Sequence, residues 1–161
     1  MPRAETSAAL ALIANPTARD LTSYLHEKIP LTQAMGVNVT EIGDRFVLEA
    51  PLEANINHLG TAFGGSLHAL PTLACYAVLW TLLTGAGIDC HVVNKHSSVE
   101  YRQPVRGRLR AVCLCPTPER ERQFLEDLRR NKKARLEMTA VVEGDNGRPA
   151  VEFTGLFVAF S

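Results

Sequence analysis

Residues 55–83 read NINHLGTAFGGSLHALPTLACYAVLWTLL, a polar loop that passes through Gly64 and Gly65 into a long segment almost free of charge. Leu67, Leu70, Leu73, Ala74, Ala77, Val78 and Leu82 fall at helical spacings, and Tyr76, Leu79 and Trp80 extend the apolar surface around the cylinder. A helix that is apolar on most sides is buried on most sides. Roughly 19 residues at about 1.5 Å each make a rod of about 28 Å. Its polar start and Pro71 argue against a membrane span, so it is expected to be a central helix wrapped by a sheet. The glycines let the chain turn sharply into the helix, and Ser66 or a neighbouring backbone group is the expected cap. The free N–H groups of a first helical turn stabilise negative charge, which is the chemical reason to look for a site here. Taken alone, the glycine pair is better explained as a tight entry turn.

The 161 residues suffice for one domain with a substantial core, and 46% hydrophobic content argues against disorder. Seventeen basic and seventeen acidic residues balance, so no global field points to nucleic acid or to an anionic membrane. Cys75, Cys90, Cys113 and Cys115 form no CxxC pair, and the histidines His26, His58, His68, His91 and His96 form no HxxxH or HExxH pattern. Core thiols in a reducing, cytoplasmic setting are the expectation, with neither metal nor cofactor.

From the N-terminus, the apolar run Ala8 to Ala14 is short for a signal-peptide core and is expected to be a peripheral helix broken by Pro16. Thr17 is placed to cap an amphipathic helix from Ala18 to Ile29, with Leu21, Tyr24, Leu25 and Ile29 on one side and Pro30 as its stop. Residues 1–29 thus form a helical extension and 30–161 one domain. Met35 to Ile42 and Phe46 to Ala50 alternate around the turn Gly43-Asp44, which predicts a β-hairpin. After the central helix, stopped by Gly85-Ala86-Gly87, strands are expected over Cys90 to Tyr101 and Leu109 to Cys115. The charged segment from Pro116 to Lys133 predicts a surface helix with Phe124, Leu125 and Leu128 on its thin apolar stripe. Ala134 to Glu143 and Ala150 to Phe160 are the last two strands. The pattern is α+β, with one mostly antiparallel sheet around one helix.

This pattern, together with Asn57, the run Gly60-Thr61-Ala62-Phe63-Gly64-Gly65-Ser66 and the segment from Ser97 to Pro104, resembles the hotdog fold and, within it, the YiiD C-terminal thioesterase-like family. The resemblance spans about residues 30–160. Related hotdog acyl-CoA thioesterases of the phenylacetate-pathway type carry an Asn, then His-Gly-Gly six positions on, then a carboxylate on the helix. Carried over, this implies Asn57 at the Asn position, Phe63 in place of the His, Gly64 as the N–H that polarises the thioester carbonyl with Gly65 beside it, Thr72 where the carboxylate stands, and Asn94 at a polar position on the following strand. The carbonyl-binding half is kept and the carboxylate is missing.

The missing base must be sought among His58, His68, His96 and Glu53, each of which has an ordinary structural explanation as an exposed loop, helix or strand residue. Phe63, Ser66, His68 and His96 are candidates for substrate binding, with Phe63 and the apolar helix hinting at an acyl pocket that core packing explains equally well. Lys95 and Arg102, with Arg106 and Arg108, are candidates for the coenzyme A nucleotide, although strand-end charges are commonly just solvated. Hotdog relatives are dimers or dimers of dimers, which implies pairing of the strand His91 to Tyr101 with its mate. The expected function is hydrolysis of an acyl-CoA or acyl-carrier-protein thioester. The rivals are a non-catalytic acyl-binding or structural dimer, favoured by Phe63 and Thr72, and a hotdog dehydratase or hydratase, which lacks its usual Asp/His pair here.

Overall fold

In the computed structural model, residues 15–161 are described. The expected helix over Ala8 to Ala14 lies outside them. Thr17 caps α1 (Ala18–Lys28) in a reciprocal arrangement: its hydroxyl oxygen accepts the Asp20 N–H at 3.2 Å, and its own N–H donates to the Asp20 carboxylate at 2.9 Å. Leu21 and Leu25 are fully buried in the same cluster as the central helix, Tyr24 stacks on Trp80 at 4.2 Å, and Thr22 Oγ1 accepts the Val39 N–H at 2.9 Å. The helix expected as an extension is therefore part of the common core.

Pro30 both stops α1 and opens a second, short helix, α2 (Pro30–Ala34), which the sequence did not disclose. Proline at the first helical position loses no hydrogen bond. The chain then turns at Gly36, whose φ of 69° suits glycine and whose missing Cβ would sit 2.9 Å from Pro51 Cδ. This turn delays β1 (Asn38–Glu41) by three residues from the expected Met35. β2 (Arg45–Ala50) completes the hairpin, and a 3-10 turn (Glu53–Asn55) begins the loop to α3 (Gly64–Gly85). β3 (His91–Tyr101), β4 (Leu109–Leu114), α4 (Pro118–Asn131), β5 (Lys133–Glu143) and β6 (Pro149–Phe160) follow.

The six strands form one antiparallel sheet in the order β1-β2-β4-β5-β6-β3. Its inner face presents Phe46, Leu48, Leu109, Ala111, Leu136, Met138, Phe153 and Phe157, all buried, to α3. By length and hydropathy α3 is able to cross a membrane, but 67% of its most apolar window is buried inside the described residues. Pro71 lies within the continuous helix and is itself buried. It has no N–H for the Leu67 carbonyl, yet the helix runs on, held by packing on all sides. Cys75 of α3 and Cys113 of β4 meet at 3.6 Å between sulfurs, and this contact and then burial push the Cys75 thiol well above its ordinary pKa.

β3 is an edge strand whose ladder to β6 slips between Asn94 and His96. Lys95 is the extra residue of this bulge. Before it, Asn94 pairs with inward-facing Phe157; after it, His96 pairs with Leu156, on the outer face.

Two expectations follow. Leu79→Ala, at a position with no exposed surface, should cost about 2–5 kcal/mol and lower the melting temperature by roughly 5–15 °C; a drop of a degree or two in a thermal melt would mean the helix is loosely packed. The second concerns the α1 cap. The Thr17 hydroxyl and backbone hold the Asp20 carboxyl below its ordinary pKa of 3.8. A depressed carboxyl contributes stability that is present above the unfolded value and lost as pH falls through the folded one. In acid titrations the advantage of wild type over Asp20→Asn should therefore be full above about pH 3.8, shrink as the pH falls below it, and vanish only below the lower folded-state pKa.

Candidate active site

The loop before α3 is shaped by two asparagines. Asn57 Oδ1 accepts the Leu59 and Thr61 N–H groups at 2.9 and 3.1 Å, and its Nδ2 donates to Thr61 Oγ1 at 3.0 Å and to the Ala62 carbonyl at 3.4 Å. All of its polar capacity is spent folding the loop over itself. Gly60, with φ of 76°, closes that turn by donating to the Asn57 carbonyl at 3.1 Å. Asn55, almost fully buried, donates to the Met35 and Pro51 carbonyls, both at 2.8 Å, and its backbone carbonyl accepts the Phe63 N–H at 2.7 Å. These bonds fix the angle at which the chain enters α3.

The helix starts without a side-chain cap. Phe63, extended at φ −65° and ψ 134°, is the capping residue, and Ser66, expected as a possible cap, is instead buried in the first turn. The first backbone bond of the helix runs from the Leu67 N–H to the Phe63 carbonyl at 3.0 Å. The N–H groups of Gly64, Gly65 and Ser66 thus have no hydrogen-bond partner among the described residues. Three such donors at a helix N-terminus are suited to an oxyanion.

A groove runs from this end along α3 beside α2. It consists of two adjoining cavities of about 410 and 310 Å³ that share Leu31, Met35, Gly65 and Ala69. Phe63 and Ser66 border the first, His68 and Thr72 the second. The other lining residues are apolar except Asn55 in the first cavity and Thr32 in the second. A Cβ on Gly65 would run into the Phe63 ring, so glycine is what allows that exposed ring to lie across the helix start. His68 Nε2 is 3.0 Å from Ser97 Oγ on β3, and its ring packs against Phe153 at 5.7 Å. The Thr72 hydroxyl donates to the His68 carbonyl at 2.8 Å, a bond internal to the helix.

The other sequence candidates are dispersed. His58 and Glu53 are exposed in the loop, and neither lines the groove. Asn94 faces the helix side of the sheet but stands away from both cavities, while the bulge turns His96 to the opposite side. Lys95 is exposed on the edge strand, and Arg102 is held by Glu152, with Nε 2.7 Å from Oε2, and by Glu100 at 3.1 Å. Among the described residues no group of three His, Cys, Asp or Glu is placed to hold a metal ion. Two residues were missed. Tyr101 donates its hydroxyl to the Gly64 carbonyl at 2.8 Å, tying the edge strand to the helix start, and Ser97 partners His68. Both lie in the quoted segment from Ser97 to Pro104, and only three-dimensional pairing reveals their partners.

The chain is similar over its length to proteins of known structure. A protein of unknown function from Chlorobaculum tepidum is 31% identical, with a TM-score of 0.86 over 89% of this chain and 94% of its own. A protein described as a putative thioesterase from Shewanella oneidensis is 24% identical, with a TM-score of 0.80 over 89% and 97%. A protein of unknown function described as a probable thioesterase, from Pseudomonas aeruginosa, is 24% identical, with a TM-score of 0.75 over 91% and 97%. The sheet wrapped on one helix is the hotdog fold that such thioesterases share. The profile of the YiiD C-terminal family, described as putative thioesterases, matches residues 18–161, and with the unsatisfied helix start at Gly64-Gly65 in place the chain belongs to that family.

Proposed function

We propose that the protein hydrolyses an acyl thioester, carried on coenzyme A or an acyl carrier protein, with the acyl chain in the groove between α2 and α3. The observation that carries this reading is the set of unpartnered N–H groups at Gly64 and Gly65 beside an apolar groove. Attack of water on the thioester carbonyl places negative charge on its oxygen. A helix N–H aimed at that oxygen is worth roughly 3–4 kcal/mol in the transition state. Gly64 and Gly65 are assigned this role.

His68 is assigned as the general base. Of the four sequence candidates it alone lines the groove, about one turn from the donors. The Ser97 hydroxyl holds the ring in place, and the imidazole takes the proton of the attacking water and returns it to the leaving thiolate. Asn57 is assigned a positioning role, since its side chain is consumed in holding the loop that presents Gly64. Thr72 borders the groove as a wall residue. Its hydroxyl, committed to the His68 carbonyl, favours a second reading in which the groove holds an acyl chain without cleaving it.

The unpaired outer edge of β3 is assigned to a second copy of the chain, giving a dimer or a dimer of dimers with one continuous sheet. Such pairing brings Asn94, Lys95 and Arg102 of one protomer to the seam, where Lys95 is available to a nucleotide phosphate while Arg102 is engaged by Glu100 and Glu152.

The deciding experiment is thiol release from short, long and aromatic acyl-CoA esters. His68→Gln should fold normally, bind the preferred ester and lose about 10²–10⁴-fold in kcat. Ester binding without release by wild type would establish the acyl-binding reading; release undiminished in the variant would remove His68 from the mechanism. Light scattering on the eluting protein should give an even multiple of the 17.6 kDa protomer, and a protomer-sized mass at micromolar concentration would discard the β3 pairing.

A further inference from the structure

The far end of α3 carries a second cavity, of about 390 Å³, separated from Gly64 by the length of the helix. It lies between α1, the last turns of α3 and the start of β3. Its walls are aromatic: Tyr24, Tyr76, Trp80 and Phe160 all line it, Tyr24 stacks on Trp80 at 4.2 Å, and the two tyrosine hydroxyls stand 3.0 Å apart. Asp89 is its one acidic side chain. Neither lysine nor arginine lines it among the described residues, and His91, packed against Phe160 at 5.5 Å, is its only basic side chain.

The electrostatic character of these groups agrees in sign. Aromatic faces are negative and attract cations within about 6 Å of the ring centre. Asp89 adds a full negative charge. The cavity touches Leu83 and Thr84 in the final turn of α3, where the helix dipole presents its negative end. Thr84 Oγ1 is buried and has no hydrogen-bond partner, which leaves an acceptor at the same place. A bare divalent ion is poorly served, since it demands six or more oxygen ligands and the wall is mostly carbon. An anion is opposed by Asp89 and the aromatic faces, with His91 as the one basic side chain to offset them.

We propose that this cavity binds a small organic ammonium ion, a quaternary or methylated amine, with its methyl groups against the aromatic wall and its charge facing Asp89. The site does not depend on thioester chemistry at the other end of the helix.

Trp80 is the only tryptophan in the chain, so its fluorescence reports occupancy directly. The full chain is titrated with tetramethylammonium, with choline, and with 3,3-dimethylbutanol, the uncharged shape of choline. The expected result is a saturable change in emission with both cations, and at least about tenfold weaker binding of the neutral alcohol. Asp89→Asn, at an exposed position, should weaken the cations by about tenfold, leave the alcohol unchanged and leave thiol release as in wild type. Equal response to alcohol and cation would replace the proposal with a merely apolar cavity. No saturable response to either cation up to about 50 mM, or cation affinity unchanged in Asp89→Asn, would overturn it.

Discussion

One apolar helix has to be hidden from water on nearly every side. An amphipathic helix needs only a floor, but α3 has buried residues around its whole circumference and needs an enclosure. The sheet supplies most of it, with β2, β4, β5 and β6 each turning a row of buried side chains inward. The remaining flank is closed by α1, through Leu21, Leu25 and the Tyr24–Trp80 stack. Gly155 shows how tight the enclosure is: it sits between Phe153 and Phe157, where a Cβ would come within 2.8 Å of both rings. Beyond its ends, such a helix reaches the surface only along the half-buried stripe of His68, Ala69, Thr72 and Tyr76, and its backbone charge is concentrated at the ends. Burial of the rest thus confines polar chemistry to the helix ends and that stripe.

The outer face of the same sheet is organised on different terms. Arg110 on β4 lies opposite Glu49 of β2, its guanidinium 3.4 Å from that carboxylate, and it also pairs with Glu143 of β5 and reaches Glu41 of β1. Arg45 closes the network with Glu41 at 2.8 Å. Half-exposed pairs of this kind add little each, but like charges facing one another across strands would destabilise the sheet. On this face the charges thus stand as cross-strand partners of opposite sign.

The helix, the hairpin and all six strands were legible in the sequence because each rests on a period and a stop signal that neighbours along the chain supply. What escaped depended on contacts distant in sequence. Pro30 was visible as a stop but not as the start of α2, because the same ring satisfies both. The bulge at Lys95, which sends His96 to the far side of the sheet while Asn94 faces inward, is set by the pairing of β3 with β6 and leaves no mark on the alternation of β3 itself. The site was half legible. Gly64-Gly65 announced the helix start, whereas the partnership of His68 with Ser97 spans 29 residues and the bond from Tyr101 to Gly64 spans 37. Asn57 was prominent in the sequence for its place in a motif, and its hydrogen bonds place it within the scaffold of the loop.

The two sulfurs that meet between α3 and β4 have a consequence for how the molecule opens. Cys75 and Cys113 are both fully buried, and the Cys75 thiol is held in its unreactive protonated form, while Cys90 and Cys115 are partly exposed. A thiol-modifying reagent therefore meets two kinds of cysteine. The outer pair is open to it in the native state, whereas the inner pair becomes available only when the helix lifts from the sheet. The rate at which the inner thiols are labelled is therefore a clock for that separation.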